Sequence, residues 1–396
     1  MIKKIILLSI FSLALSADLM HFYKTTLTTL QYDKTYSLYK TANGLSQESV
    51  NYTRYTNFAL DAFYINTKAR TLNNSFSTTD IALYDTLDLF GKGSYKVEEL
   101  SLNLKEQKSL LNLQKEQLFT AIVNMLAQYH TVNEQFLLHT KLFIEQEDIY
   151  KKLQKLQDSG SLTSIDLLRF KNTLTLLKTR LISEKSKLSK MEKQLNLYAP
   201  NETIPKLQQV ELLYVKEDFL RYNPLLKINN INVQKLYTQA QSSQNNYLPD
   251  VVAGVSFQQL ADPTGYGDNY SFNVGLHIPL NGGDFKQAEA LKSKALTQKS
   301  KTREYKINRE NEYTKLYEDY LNAHKQLVVL QMSLNDYYKS EKTIKMAFLK
   351  QYVNFNTYLQ VITQTLKIKE QIITMKYQES SRITLLNGIA SGDIYE

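Results

Sequence analysis

The sequence predicts a mainly α-helical protein with a small β part, in which long coiled-coil helices run on from two β-hairpins and one architecture is written twice. Three observations carry this reading: a scarcity of helix breakers, a seven-residue apolar rhythm, and two strand pairs each followed by glycines. The chain has only 12 Gly and 6 Pro among its 396 residues, so helices can run far without interruption. The motifs Leu89-Phe90-Gly91-Lys92-Gly93 and Pro279-Leu280-Asn281-Gly282-Gly283 lie about 190 residues apart. Each is preceded by two candidate strands and followed by a very long helical stretch, a break and a shorter helix.

The strands are clearest in the second half. Tyr270, Phe272, Val274, Leu276, Ile278 and Leu280 alternate with Ser271, Asn273, Gly275, His277 and Pro279. A period of two with one apolar and one polar face is the signature of a strand that separates two environments. Val251, Ala253, Val255 and Phe257 repeat it. In the first half Phe58, Leu60, Ala62 and Tyr64 alternate less cleanly, and Asp85 interrupts the run Ile81, Leu83, Leu87, Leu89. The hairpins are expected at about 57–90 and 250–280. Strands of about ten residues suit a bilayer-spanning barrel, although a soluble sandwich alternates too. Four strands cannot close a membrane barrel, whose smallest examples have about eight, so several chains must share one.

The helices follow heptads. Leu104, Leu111, Leu118, Met125 and Val132 form one seam, with Ile122, Tyr129, Phe136, Phe143 and Tyr150 beside it. Leu167, Leu174, Leu181, Leu188 and Leu195 form another, and Tyr313, Tyr320, Leu327, Leu334 and Phe348 a third. Such stripes predict left-handed coiled-coil packing. The stretch from Gly93 to Gln157 would span about 100 Å at ~1.5 Å per residue. The helices flanking it, from Asp18 to about Val50 and from Leu162 to about Leu197, are each half as long, and the second half repeats the pattern. Two short helices stacked against one long helix predict a rod about three times the thickness of a membrane, suited to crossing a periplasm-like space.

Lys3 and Lys4, the apolar run Ile5 to Leu15 and the small residues Ser16 and Ala17 read as a secretory leader over residues 1–17. Cysteine is absent, which leaves no disulfide framework and no thiolate metal site, and suits a Gram-negative envelope. The net charge of +9 comes from lysines interspersed with acids, as on a solvated helix face, and does not imply nucleic acid.

The doubled order of helix, strand pair, glycine pair, long helix, tip and helix resembles the TolC family of outer-membrane efflux and secretion channels. The most similar segment is Tyr222-Asn223-Pro224, opening a helix that ends in Tyr247-Leu248-Pro249-Asp250, with Ile278 to Gly283 after the strands. The tip Asp158-Ser159-Gly160-Ser161-Leu162, with Asp166 six residues after the glycine, is also similar. This resemblance implies a first repeat over 18–198, an equatorial segment over 199–214 and a second repeat over 215–396. It implies a homotrimer whose twelve strands close one barrel and whose helices form a periplasmic tunnel, with tips docking on an adaptor coupled to an inner-membrane pump. The docking tips would be Gly160, Ser161 and Leu162, and Gln351, Tyr352 and Val353. Phe272, Val274, Leu276 and Ile278 would face lipid, with Asn273 and His277 toward the lumen, and Gly91, Gly93, Pro279, Gly282 and Gly283 would swivel strand into helix. In relatives acids narrow the periplasmic mouth. Here the matching positions are Tyr358 and Val361, and Tyr352 stands where the second tip glycine would be, so the resemblance implies a neutral gate with Asp166 the one acid near it; the alternative is that Tyr358 fills a helix–helix seam.

No catalytic, cofactor or metal site is expected. The five histidines, His21, His130, His139, His277 and His324, show no paired metal spacing. The glycine pairs lack P-loop or dinucleotide spacing. His139 falls on a heptad position and reads as a packed or water-bridged histidine, while Asp85 and Asp88 read as acids lining a lumen, Asp85 standing on the wrong parity for it. The expected function is a passive outer-membrane exit duct of an efflux pump or type I secretion system, reaching into the periplasm. The alternative is a periplasmic coiled-coil adaptor or structural envelope protein without a membrane barrel. Alternating strands discriminate, because an adaptor needs no lipid-facing belt.

Overall fold

The computed structural model describes residues 18–396 apart from 56, 69–74, 159–162, 208–209, 263–264 and 280. The expected leader over 1–17 lies outside the described residues, as do Gly160, Ser161 and Leu162 of the first tip. The chain divides into two compact units. One contains residues through Tyr32, Asn112–Asn223 and Ile307–Glu396; the other contains Asp33–Leu111 and Pro224–Lys306.

In the second unit, helix α2 (Tyr32–Tyr55) leads into β1 (Phe58–Lys68) and β2 (Ser75–Leu87), and α3 (Lys92–Asp158) leaves it. After α6 (Pro224–Asn245) come β3 (Asp250–Asp262), β4 (Gly265–His277) and α7 (Gly282–Ser300). The strands form one antiparallel sheet in the order β1-β2-β3-β4, so β1 and β4 are open edges of this chain. Buried asparagines tie its helices together. Asn43 on α2 donates its amide to the Leu100 carbonyl of α3 at 2.9 Å. Asn229 on α6 accepts from Gln298 at 2.7 Å and donates to Thr302 at 3.2 Å.

Among its described residues the first unit has helices and connecting loops and no strand. It holds α1 (18–29), most of α3, α4 (Ser164–Tyr198), the short α5 (Lys216–Arg221), α8 (Thr302–Leu349) from Ile307 onward, α9 (Phe355–Ser391) and a 3-10 turn, Asp393–Tyr395. Its buried apolar residues form two clusters, to which the heptad seams contribute Ile122, Leu195 and Phe348. Phe22, Tyr23, Phe119, Ile122, Leu126, Leu195 and Ile389 centre the first; Ile149, Leu153, Phe170, Phe348, Phe355 and Tyr358 centre the second. Each fully buried Leu, Ile or Phe contributes about 1.5–3 kcal/mol by leaving water, so these stripes hold the bundle together. Within it Arg309 lies against Glu116 at 2.5 and 3.2 Å, over the Phe219 ring at 4.2 Å.

Two expected helices are interrupted. The helix expected from Asp18 to Val50 breaks at Leu30-Gln31, where Gln31 adopts the left-handed conformation (φ 55°) and Leu30 N–H bonds to the Thr26 carbonyl. The helix expected to open at Tyr222-Asn223-Pro224 does so, because Pro224 needs no N–H partner and takes the first helical position of α6. The long helix expected after Gly283 is α7 and α8, divided at Lys301. That residue keeps right-handed helical angles (φ −71°, ψ −11°), so the interruption is one residue long. In the first half α3 is unbroken over its 67 residues.

Candidate functional site

The ladder register sorts the sheet's side chains into two faces, because opposed residues in an antiparallel pair point the same way. One face carries four apolar rows. These are Leu87–Val251–Leu276, then Phe58–Asp85–Ala253–Val274, Leu60–Leu83–Val255–Phe272 and Ala62–Ile81–Phe257–Tyr270. The rows cover about 20 Å of strand at ~3.3 Å per residue. Leu89 and Ile278, both exposed, continue the apolar sequence just past the strand ends. Among the described residues nothing covers this face on β4: Tyr270 is 75% exposed and Phe272 71%.

The other face is polar. Ser256 lies opposite Ser271 with their hydroxyls 2.6 Å apart, and Gln258 donates to Asp80 at 3.3 Å. Asn273 donates to Ser271 at 3.2 Å, and Asp61 and His277 share this face. Phe63 and Ile65 are apolar exceptions on β1.

Asp85, an acid expected in a lumen, lies in the apolar rows. Its carboxylate accepts the Asn57 backbone N–H at 2.8 Å, so it closes the turn from α2 into β1. Asp88, expected in the same role, instead caps α3. Its two oxygens accept the N–H groups of Lys92 at 2.8 Å and Gly93 at 2.7 Å, and Arg54 lies 3.3 Å away. Partial burial opposes the charge, but these backbone donors and Arg54 prevail and hold the carboxyl below its ordinary range.

The expected swivel glycines divide by chemistry. Gly91 takes φ 78°, a conformation a Cβ resists, and Gly93 passes so near the Arg54 side chain that a Cβ would collide with it. Gly282 and Gly283 do not swivel; they begin α7, whose cap is the Asn281 side chain accepting Gly283 N–H at 3.1 Å. Pro279 lies between β4 and α7, outside both elements.

At the second turn α8 ends in a Schellman arrangement. Gln351 N–H bonds to the Phe348 carbonyl at 3.0 Å and Tyr352 N–H to that of Ala347 at 2.8 Å. The left-handed residue is therefore Gln351 (φ 61°), and not Tyr352 as the resemblance implied. Tyr352 projects outward, 79% exposed, Val353 is half-buried, and Asn354 caps α9 by accepting Thr357 N–H at 2.9 Å.

The expected gate residues are not alike. Tyr358 is 1% exposed, stacked on Phe348 at 4.5 Å and hydrogen-bonded to Gln146 at 3.0 Å. Burial pushes its hydroxyl pKa up to about 12. Its ring fills a helix–helix seam within one chain, the second of the two readings of this position. Val361 is half-buried. Asp166 belongs to the α4 cap: Thr163 accepts its N–H at 3.2 Å and donates to its carboxylate at 2.8 Å, with Arg169 at 3.9 Å.

Sequence reasoning missed a cluster around His139. The ring is fully buried, with Nδ1 2.8 Å from Glu184 on α4 and Nε2 2.7 Å from Glu370 on α9. A signal was present: beside the leucine seam, Phe170, Leu177 and Met191 form a second seven-residue series, and Glu184 occupies its missing apolar position. Among the described residues no group of three His, Cys, Asp or Glu is arranged to hold a metal ion, and no helix is long and apolar enough to cross a membrane.

The architecture has solved counterparts. The outer-membrane channel OprN matches with a TM-score of 0.77 at 12% identity, over 96% of this chain and 91% of that one. The outer membrane protein VceC of Vibrio cholerae matches at 0.74 and 13%, over 94% and 96%. The Campylobacter jejuni CmeC outer membrane channel matches at 0.67 and 13%, over 96% and 85%. No protein-family model matches the sequence, and no curated protein matches it. The chain shares the fold of TolC-family outer-membrane channels.

Proposed function

We propose that this chain is a subunit of a passive outer-membrane exit duct, working without catalysis and driven by partner proteins. The observation that carries the proposal is the two-faced sheet with open edges. An uncovered apolar face of four strands is costly in water, and β1 and β4 leave unpaired backbone groups that lipid would not satisfy. Both costs vanish when copies join edge to edge into a closed barrel whose apolar face meets lipid and whose polar face lines water. Three copies would supply twelve strands, the arrangement of trimeric TolC-type channels that work with adaptors and inner-membrane pumps. The exposed Tyr352 turn would be available to a periplasmic adaptor. A periplasmic adaptor or structural protein has no use for the apolar rows.

The test is a pair of substitutions on the two opposite faces of β4. A lipid-facing Arg costs about 2–4 kcal/mol near the midplane, and a lumen-facing one costs little. Leu276→Arg is expected to abolish heat-sensitive oligomers in outer-membrane extracts, while Asn273→Arg leaves them intact. Equal tolerance of both would overturn the barrel.

A further inference from the structure

We propose that His139 is the hub of a proton-dependent clamp, which fastens α4 and α9 to α3 when the ring is charged and releases α9 when it is neutral. The inference goes beyond the duct reading and stands on the helical unit alone.

The geometry leaves the ring little choice of state. Nδ1 lies 2.9 and 2.8 Å from the two oxygens of Glu184, and Nε2 lies 2.7 Å from Glu370. Carboxylates at both nitrogens require both to donate, and only the imidazolium has two N–H groups. Arg180 on α4 completes the set, with Nε 3.2 Å from Glu184 and a terminal nitrogen 2.5 Å from Glu370. The charged groups facing the ring are therefore Glu184 and Arg180 from α4 and Glu370 from α9. Lys369, next on α9, is turned away to Glu341 of α8 at 2.9 Å. Two cations and two anions balance while the ring is protonated. A neutral ring leaves one carboxylate facing a lone pair and an uncompensated negative charge in a buried site.

Burial disfavours the charged ring, but hydrogen bonds to Glu370 and Glu184 outweigh it, so the pKa of His139 is raised. The sign follows: the clamp is fully formed below the ordinary histidine range and is lost as pH rises through the folded value. Glu370 is the partner to leave. Its side chain is 21% exposed against 9% for Glu184, so it hydrates more readily. Release would free the α3–α9 seam around Glu370 while α4 keeps its Arg180–Glu184 pair.

The experiment is amide hydrogen exchange on the full-length protein in detergent, corrected for intrinsic rates, between about pH 6 and about pH 9.5, a window that brackets a raised histidine. In the wild type, protection of α9 amides near Glu370 to Thr374 should fall at least tenfold across this range, while α9 amides near Leu385 stay unchanged. His139→Gln should show the low protection at every pH, without a step. Glu370→Gln keeps the imidazolium with Glu184 and should flatten the α9 profile in the same way; it carries the test if His139→Gln does not fold. Constant wild-type protection, or an unaltered step in Glu370→Gln, would overturn the clamp.

Discussion

The first half of the chain passes from sheet to helix through Gly91 at φ 78° and an Asp88 carboxylate that accepts two backbone N–H groups. The second half makes the same passage, among the described residues, with no left-handed residue, through Pro279 and an Asn281 cap. The helices that follow differ too: α3 is continuous, whereas α7 and α8 are divided at Lys301 beside the Asn229 amide. What the halves share is a set of backbone demands, namely a sharp exit from the sheet and satisfied amides at the helix start. The residues that meet those demands are free to differ.

The difference can be broken most sharply at the caps. Asp88→Ala should destabilise the sheet unit by about 2 kcal/mol at neutral pH, since it removes two charge-assisted bonds to backbone N–H groups and the partner of Arg54. Because the folded pKa of Asp88 lies below its ordinary value, this contribution is present above the ordinary carboxylate range and is lost as pH falls through the folded value. Denaturation midpoints of wild type and variant should therefore converge in acid. Asn281→Ala should cost about 1 kcal/mol, with a gap from wild type that does not change with pH. Equal, pH-independent losses at both caps would erase the distinction between the halves. The smallest effect is expected at the second turn. Gln351→Gly relieves a left-handed strain of about 1–2 kcal/mol but adds unfolded-chain entropy worth about 0.5–1 kcal/mol, so a net stabilisation of about 0.5 kcal/mol should appear as a slightly higher midpoint.

Much of the fold was legible because it rests on periodicity. The period-two runs around Phe272 and Val255 became β4 and β3, and the heptads around Ile122 and Phe348 became core. What was not legible depends on side chains meeting across the fold. Tyr358 aligned with a mouth position by spacing, but a ring beside Phe348 and Phe170 gains more by burial than by facing water. Asp88 read as a lumen acid because nothing in a linear sequence shows two N–H groups converging on it. Glu184 and Glu370 lie 186 positions apart, and only the packing of α4 and α9 on α3 brings both to one imidazole.

The account turns on the two faces of β4, and the chain has no cysteine of its own to confuse a labelling experiment. Single cysteines at Ser271, Phe272, Asn273 and Val274 should be exposed to a charged thiol reagent in intact outer membranes. Alternating reaction, with Ser271→Cys and Asn273→Cys labelled and Phe272→Cys and Val274→Cys protected, is the predicted result; uniform labelling of all four would contradict a lipid-facing sheet.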